Sequence, residues 1–128
     1  MNGEASVMVL VTLQHHCARL IRKGADLALR KGYALKVVHV AEVSGQEKRS
    51  HGIQAKILNE LYALANEAGA EMCVLTSEVA VNAMAEYAKE HGVKQVVMGN
   101  GERAHGIGET LSALLPGVAI AILDQEAE

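Results

Sequence analysis

The stretch Ala85 to Gly99, AEYAKEHGVKQVVMG, carries the pattern that decides the fold. Its first part belongs to a helical pattern that runs from about Glu78 to His91 and stops at Gly92, a residue that suits a helix end. Its second part, Lys94–Gly99, is a short apolar run, which is typical of a strand buried on both faces. A helix that leads through a glycine into a buried strand is one unit of an alternating α/β fold.

The same alternation extends outward along the chain in both directions. Apolar runs predict four further strands, at 6–12, 35–41, 71–76 and 118–123. Apolar residues at helical spacing predict helices at 17–31, 53–68, 78–91 and, briefly, 109–115. Gly32 and Gly69 close the first two helices, and Ser77 is the predicted cap of the third. This order predicts a single domain, residues 1–128, with a parallel sheet covered by helices on both faces.

The predicted sheet has one edge at which a ligand is expected. In parallel α/β sheets, ligands bind beyond the carboxyl ends of the strands, near the point where the strand order reverses. Three connections therefore stand out, namely Thr12–His16, Val40–Val43 and Gly99–Thr110.

Composition excludes several classes of protein. The 128 residues carry a formal charge of −3, which offers no basic field for nucleic acid, and no apolar run approaches membrane-spanning length. The N-terminus lacks the pattern of a signal peptide. Two cysteines, Cys17 and Cys73, fit a reducing compartment better than a disulfide framework. We therefore expect a soluble cytoplasmic protein.

The segment after the fourth strand, Gly99 to Leu111, reads GNGERAHGIGETL and contains four glycines. Glycines let a backbone approach phosphate oxygens, and a following helix N-terminus adds N–H donors and a positive dipole. The same glycines also suit a plain turn from strand to helix. A short glycine pattern does not decide between these two interpretations.

Other groupings of reactive side chains favour structural roles. His15, His16 and Cys17 are adjacent, so they do not easily converge on one metal ion. They lie at the ligand edge, where contact of the histidines with a ligand is the better hypothesis. Cys73, within a strand, is expected to be a buried inert thiol, and His39 a hydrogen-bonded core histidine. The chain has no Gly-x-Ser-x-Gly elbow, Walker loop or evident nucleophile and base pair.

Taken together, SVMVLVTL (6–13), LKVVHVAEV (35–43), VAVNAMAEYAKEHGVKQVVMGNGE (79–102) and PGVAIAIL (116–123) resemble the universal stress protein family. Within it, HCARLIRKGADLALRKGYALKVVHV (16–40) is similar to the stress-protein-like domain of potassium-sensing histidine kinases. The resemblance implies a Rossmann-like fold of the adenine nucleotide alpha hydrolase type, with strand order 3-2-1-4-5. It also implies a homodimer through the last strand, Val118–Leu123, whose apolar character suits pairing at a sheet edge.

The ATP-binding members of the family carry a Gly-x-x-Gly-x9-Gly-Ser/Thr loop after the fourth strand and an acidic residue after the first. Here Gly101 comes one place early, Glu102 stands at the second glycine position, and Gly108 precedes Glu109 rather than a serine or threonine. The loop after the first strand, TLQHH (12–16), has no acidic residue. The match to the motif is therefore partial.

The resemblance and the strand-end rule together predict a regulatory or binding module that takes an adenine nucleotide, ATP or AMP. The expected nucleotide-binding residues are Thr12, Leu13, Val40, Met98, Gly99, Gly101, Arg103, Gly106, Gly108 and Thr110. In this pose Thr12, Leu13 and Val40 meet the adenosine, and the glycine segment meets the phosphates. Two alternatives remain, a homodimeric protein-interaction module that binds no nucleotide and a weak adenine-nucleotide hydrolase.

Overall fold

The computed structural model describes residues 5–11, 18–42, 51–99 and 104–123. Strands and helices alternate through these residues. The strands are β1 Ser6–Leu10, β2 Ala34–Glu42, β3 Glu71–Ser77, β4 Val93–Gly99 and β5 Ala119–Leu123. The helices are α1 Ala18–Lys31, α2 His51–Glu67, α3 Ala80–Glu90 and α4 Ala104–Leu114. None of these helices is long and apolar enough to cross a membrane.

The strands form one parallel sheet in the order β3-β2-β1-β4-β5. This confirms the parallel sheet predicted from the alternation and the strand order implied by the resemblance. The central strand β1 is buried along its whole length, because helices cover both of its faces. The order reverses between β1 and β4, and β3 and β5 form the two edges of the sheet.

Alternate residues of β1 supply two separate cores. Val7 and Val9 pack with α1 and α2 on one face, whereas Met8 and Leu10 pack with α3 and α4 on the other. The period-two direction of strand side chains explains this division. An apolar run with no polar alternation is what a strand with two buried faces requires.

Helix α1 approaches the sheet closely because residue 24 has no side chain. A Cβ on Gly24 would collide with a γ-methyl of Val9 and would stand 3.3 Å from Cδ1 of Leu35. The sequence placed Gly24 on the apolar face of this helix. It does not show that the contact of Gly24 with Val9 and Leu35 leaves no room for a methyl group. The spacing between α1 and β1 therefore depends on this glycine.

Helix ends follow the glycine pattern. Gly32, Gly69 and Gly92 adopt φ angles of 71°, 77° and 63°, the left-handed conformation that ends a helix. The prediction that these residues stop helices is confirmed.

The start of α3 differs from the prediction. The helix begins at Ala80 instead of Glu78, and Val79 occupies the cap position with no side-chain hydrogen bond. Ser77 is the last residue of β3; its hydroxyl donates to the Val79 carbonyl at 2.9 Å and accepts from the Val79 N–H at 3.1 Å. The predicted serine cap is therefore wrong, because the hydroxyl stabilises a local turn instead.

The start of α4 differs more, and it changes the site. The helix begins at Ala104 rather than Glu109, so that Gly106 and Gly108 are helical residues and not part of a connecting loop. Buried Ala104, Gly108 and Leu111 share the face that packs on the sheet. Burial of this face stabilises helix over residues whose intrinsic helix propensity is low.

Candidate functional site

The carboxyl end of β1 lies in a recess between two longer neighbours. Leu10, the last residue of β1, is in register with Val38, and β2 continues four residues further to Glu42. On the other side, Val9 is in register with Val97, and β4 continues to Gly99. The strand order reverses at this point, where open α/β sheets bind their ligands.

Residue 11 continues the β1 backbone into this recess. The Val11 N–H donates to the Val38 carbonyl at 2.9 Å, and the Val11 carbonyl lies 3.1 Å from Nδ1 of His39. The expectation of a hydrogen-bonded histidine is confirmed, although His39 is half-buried rather than fully within the core. The ring thereby holds the chain at the point where it leaves β1.

Residues of three elements meet at the end of β4. A Cβ on Gly99 would stand 3.5 Å from Cδ1 of Leu20, an ordinary van der Waals distance. The first turns of α1 therefore lie beside the carboxyl end of β4. They bring the exposed cations Arg19, Arg22 and Lys23 to the ligand edge of the molecule. These cations were not among the site residues predicted from the sequence, although the predicted helix follows the ligand-edge connection Thr12–His16 directly.

The predicted nucleotide-binding residues are only partly brought together. Val40 is half-buried on β2 beyond the end of β1, and Gly99 closes β4. The side chain of Met98 is 6% exposed and belongs to the core, so that this residue can offer a ligand only its backbone. Other residues named from the sequence lie outside those that the structure describes; these are Thr12, Leu13, His15, His16, Cys17, Gly101 and Arg103.

The remaining three predicted residues lie along α4. Gly108 faces β5, where a Cβ would stand 3.2 Å from Cδ1 of Ile122. Gly106 is exposed, and a Cβ there would meet no atom within 4 Å. The Thr110 hydroxyl donates to the Gly106 carbonyl at 3.0 Å, within the helix. Gly108 and Thr110 lie ~6 and ~9 Å along the axis from the first helical residue.

The polarity of α4 suits an anion at its start. The described first turn of α4, from Ala104, contains no acidic residue, and the partial positive charge of a helix N-terminus favours an anion. Glu109 is exposed and lies ~7.5 Å along the axis from Ala104. Because α4 follows β4, its N-terminus lies at the carboxyl edge of the sheet.

Cys73, Tyr87 and His91 are titratable residues at the opposite end of the sheet, and their surroundings favour a structural role. Burial, with smaller contributions from Cys73 and Glu71, raises the pKa of Tyr87 to about 12, and the ring stacks on His91 at 4.0 Å. Cys73 is half-buried rather than buried, and desolvation raises its thiol pKa. A raised pKa leaves less of the reactive thiolate. Within the described ranges, no three His, Cys, Asp or Glu residues are placed to hold a metal ion.

Several solved structures share this fold. A universal stress protein from Archaeoglobus fulgidus in complex with dAMP is 21% identical, with a TM-score of 0.66 and coverage of 92% of this chain and 96% of that one. Another from the same organism is 19% identical, with a TM-score of 0.71 and coverage of 94% and 93%. A universal stress protein in complex with cAMP is 19% identical, with a TM-score of 0.64 and coverage of 98% and 100%. At these identities the likeness shows the fold.

Comparison at the level of sequence families is more decisive. No curated protein matches the chain. The model of the universal stress protein family matches residues 5–124, which is nearly the whole chain. This chain belongs to the universal stress protein family.

Proposed function

We propose that this chain is a regulatory module that binds an adenine nucleotide, AMP or ATP, at the carboxyl ends of β1 and β4. The observation that carries the proposal is the recess at the end of β1, located where the strand order reverses. Structures of the same fold and family contain dAMP and cAMP.

The adenosine is proposed to lie over the end of β1. Val40 extends past the last paired residue of β1 and offers its backbone and a half-buried apolar side chain. Thr12 and Leu13 follow Val11 in sequence and complete this part of the proposed site. Apolar walls with a few backbone donors and acceptors are typical of small-molecule pockets.

The phosphates are proposed to lie between Gly99 and the N-terminus of α4. The N-terminus of the eleven-residue helix α4 supports this placement, because the first N–H groups of a helix have no partner within the helix and favour an anion. Gly101 and Arg103 stand between these two points in sequence and keep their proposed roles. Gly106, Gly108 and Thr110 are not part of this proposal, since they lie further along α4. The cations in the first turns of α1 add positive charge near the same edge.

Calorimetric titration of the nucleotide-free protein with AMP and ATP, with and without magnesium, tests the proposal. Gly99→Val is the informative variant, because a Cβ there meets Leu20 only at an ordinary van der Waals distance, so the fold tolerates a branched side chain at the end of β4, beside the proposed phosphates. Gly106→Val is the matched control on an exposed helical position. We expect micromolar binding that Gly99→Val weakens by about tenfold or more, equivalent to ~1.4 kcal/mol, and that Gly106→Val leaves unchanged.

A folded protein that gives no heat at about millimolar nucleotide, which corresponds to ~4 kcal/mol of binding free energy, would contradict nucleotide binding. The alternative of an interaction module without nucleotide would then apply. Equal affinities of both variants and the wild type would place the nucleotide elsewhere on the surface.

We also propose that the module is a homodimer through β5. β5 is an edge strand whose residues are apolar throughout, and Ala119 on it is exposed. Such an edge pairs with another strand unless it is covered. Light scattering on the wild type and on Ala121→Glu tests the interface. A dimer that becomes a folded monomer in the variant supports it, and a dimer unaffected by the variant contradicts it.

A further inference from the structure

The outward-facing groups of β3 follow from the hydrogen bonds of its neighbour β2. The Val38 carbonyl accepts from Val11 and so faces β1. Successive residues of an extended strand direct their N–H and C=O groups to opposite sides, so that His39 faces β3. His39 is in register with Val74.

In a parallel ladder, the residue that faces its neighbour bonds to the two residues that flank its register partner. His39 therefore bonds to Cys73 and Leu75, whose backbone groups face inward. The intervening residues Met72, Val74 and Thr76 direct their N–H and C=O groups outward, away from the sheet. β3 is an edge strand of the sheet formed by the described residues, so within them these groups form a ladder that an additional strand can pair with.

A groove lies beside this free edge on the α2 side. It has a volume of about 390 Å³ and is lined by Tyr62, Ala63, Asn66, Ala70 and Met72. None of these residues is charged. Tyr62 is 46% exposed, and Val74 on the adjacent edge is 37% exposed. Val79, just beyond the end of β3, is 48% exposed. These uncharged residues offer an apolar side chain of an added strand a surface on which to pack.

The rim of this groove and edge is acidic. Glu67 ends α2, Glu71 begins β3 and Glu78 follows β3, and all three are exposed. Lys36 pairs with Glu71 at 2.7 Å, whereas the described part of the chain places no cation in an ion pair with Glu67 or Glu78. An occupant with positive charge at its flanks complements this rim.

We propose that the β3 edge binds an extended segment of a partner protein, with β-branched or apolar residues at its centre and lysine or arginine at its flanks. The segment adds a strand to the sheet through the outward groups of Met72, Val74 and Thr76, and one of its apolar side chains enters the groove. Strand addition of this type takes affinity from main-chain bonds and specificity from side-chain pockets.

A second copy of this chain suits the edge less well. Antiparallel pairing about a two-fold axis at Val74 would set Glu71 of one copy opposite Ser77 of the other, one residue from Glu78, at both ends of the interface. A foreign segment with basic flanks avoids this repulsion.

The probe is the fluorescein-labelled peptide Lys-Lys-Val-Thr-Val-Thr-Val-Lys-Lys, titrated with the full chain and followed by fluorescence anisotropy. The control peptide has glutamate in place of each lysine.

Val74→Pro removes an outward N–H and no ladder bond, which edge strands tolerate, and Val74→Thr is its matched control. Ala63→Lys introduces bulk and positive charge at an exposed groove position, and Ala113→Lys makes the same change at an exposed position of α4.

We expect the basic peptide to bind, and the acidic peptide to bind at least about tenfold more weakly, with an affinity difference that shrinks as salt screens the rim. Val74→Pro and Ala63→Lys should each weaken binding by about tenfold or more, while Val74→Thr and Ala113→Lys retain it.

Absence of binding to the wild type overturns the proposal. Undiminished binding to folded Val74→Pro or Ala63→Lys overturns it as well, because the attraction is then charge alone. Ala63→Lys decides the outcome if Val74→Pro does not fold. Self-association that Val74→Pro abolishes, seen by light scattering, assigns the edge to a second copy and also overturns it.

Discussion

Replacement of Gly108 by valine should destabilise the protein, whereas the same replacement at Gly106 should not. A Cβ at residue 108 would stand 3.2 Å from Cδ1 of Ile122 and 3.7 Å from Cγ2 of Ile120, so the two γ-methyl groups of valine have no room between α4 and β5. Overpacking of this kind costs about 1–3 kcal/mol. At residue 106 a Cβ meets nothing within 4 Å, and valine gains a few tenths of a kcal/mol over glycine in helix propensity.

Urea denaturation followed by far-ultraviolet circular dichroism measures the difference in unfolding free energy between the two variants. Thermal unfolding should show the same order, with a shift of roughly 3–5 °C for each kcal/mol in a chain of this size. Equal stability of the two variants would refute the helix start at Ala104, because in a connecting loop neither residue would be held against β5. The comparison also bears on ligand assays. Loss of nucleotide binding in Gly108→Val would report damaged packing, so Gly99→Val is the variant that tests the site.

Two further measurements test the core. Gly24→Ala should lower the unfolding free energy by about 1–3 kcal/mol, because the added methyl collides with Val9. In a Val9→Ala background the same substitution should cost less. Strictly additive effects in the double-mutant cycle would contradict the contact. Tyr87 has its pKa raised from 10 to about 12, chiefly by burial, so the folded state holds this proton more tightly than the unfolded state. Its contribution to stability is present below pH 10 and is lost as the pH rises toward 12; Tyr87→Phe should remove this part of the pH dependence, and an unchanged slope in denaturant titrations at alkaline pH would show that another group causes it.

The candidate site was predictable only where it depends on chain order. Alternation of strands and helices identified the carboxyl edge, and Val40 and Gly99 lie on it as expected. The cations of α1 were missed although chain order places the start of this helix on the same edge; that they lie beside β4 depends on the contact between Leu20 and Gly99, which are far apart in sequence. Gly106 and Gly108 were assigned to a loop because glycine has a low helix propensity. This local preference is too weak to prevent a helix whose apolar face is buried.

By itself, the sequence determined the order of strands and helices, the parallel sheet and the glycines that end helices. These features depend on local periodicity and on the backbone freedom of single residues, which neighbouring residues suffice to specify. Only the tertiary structure decided where α4 begins, how closely α1 lies on β1 and which backbone groups of β3 remain free. Each of these depends on contacts between distant segments. Burial of Ala104 and Leu111, with Gly108 against Ile122, outweighs local propensity because packing an apolar helix face contributes more free energy than two glycines cost.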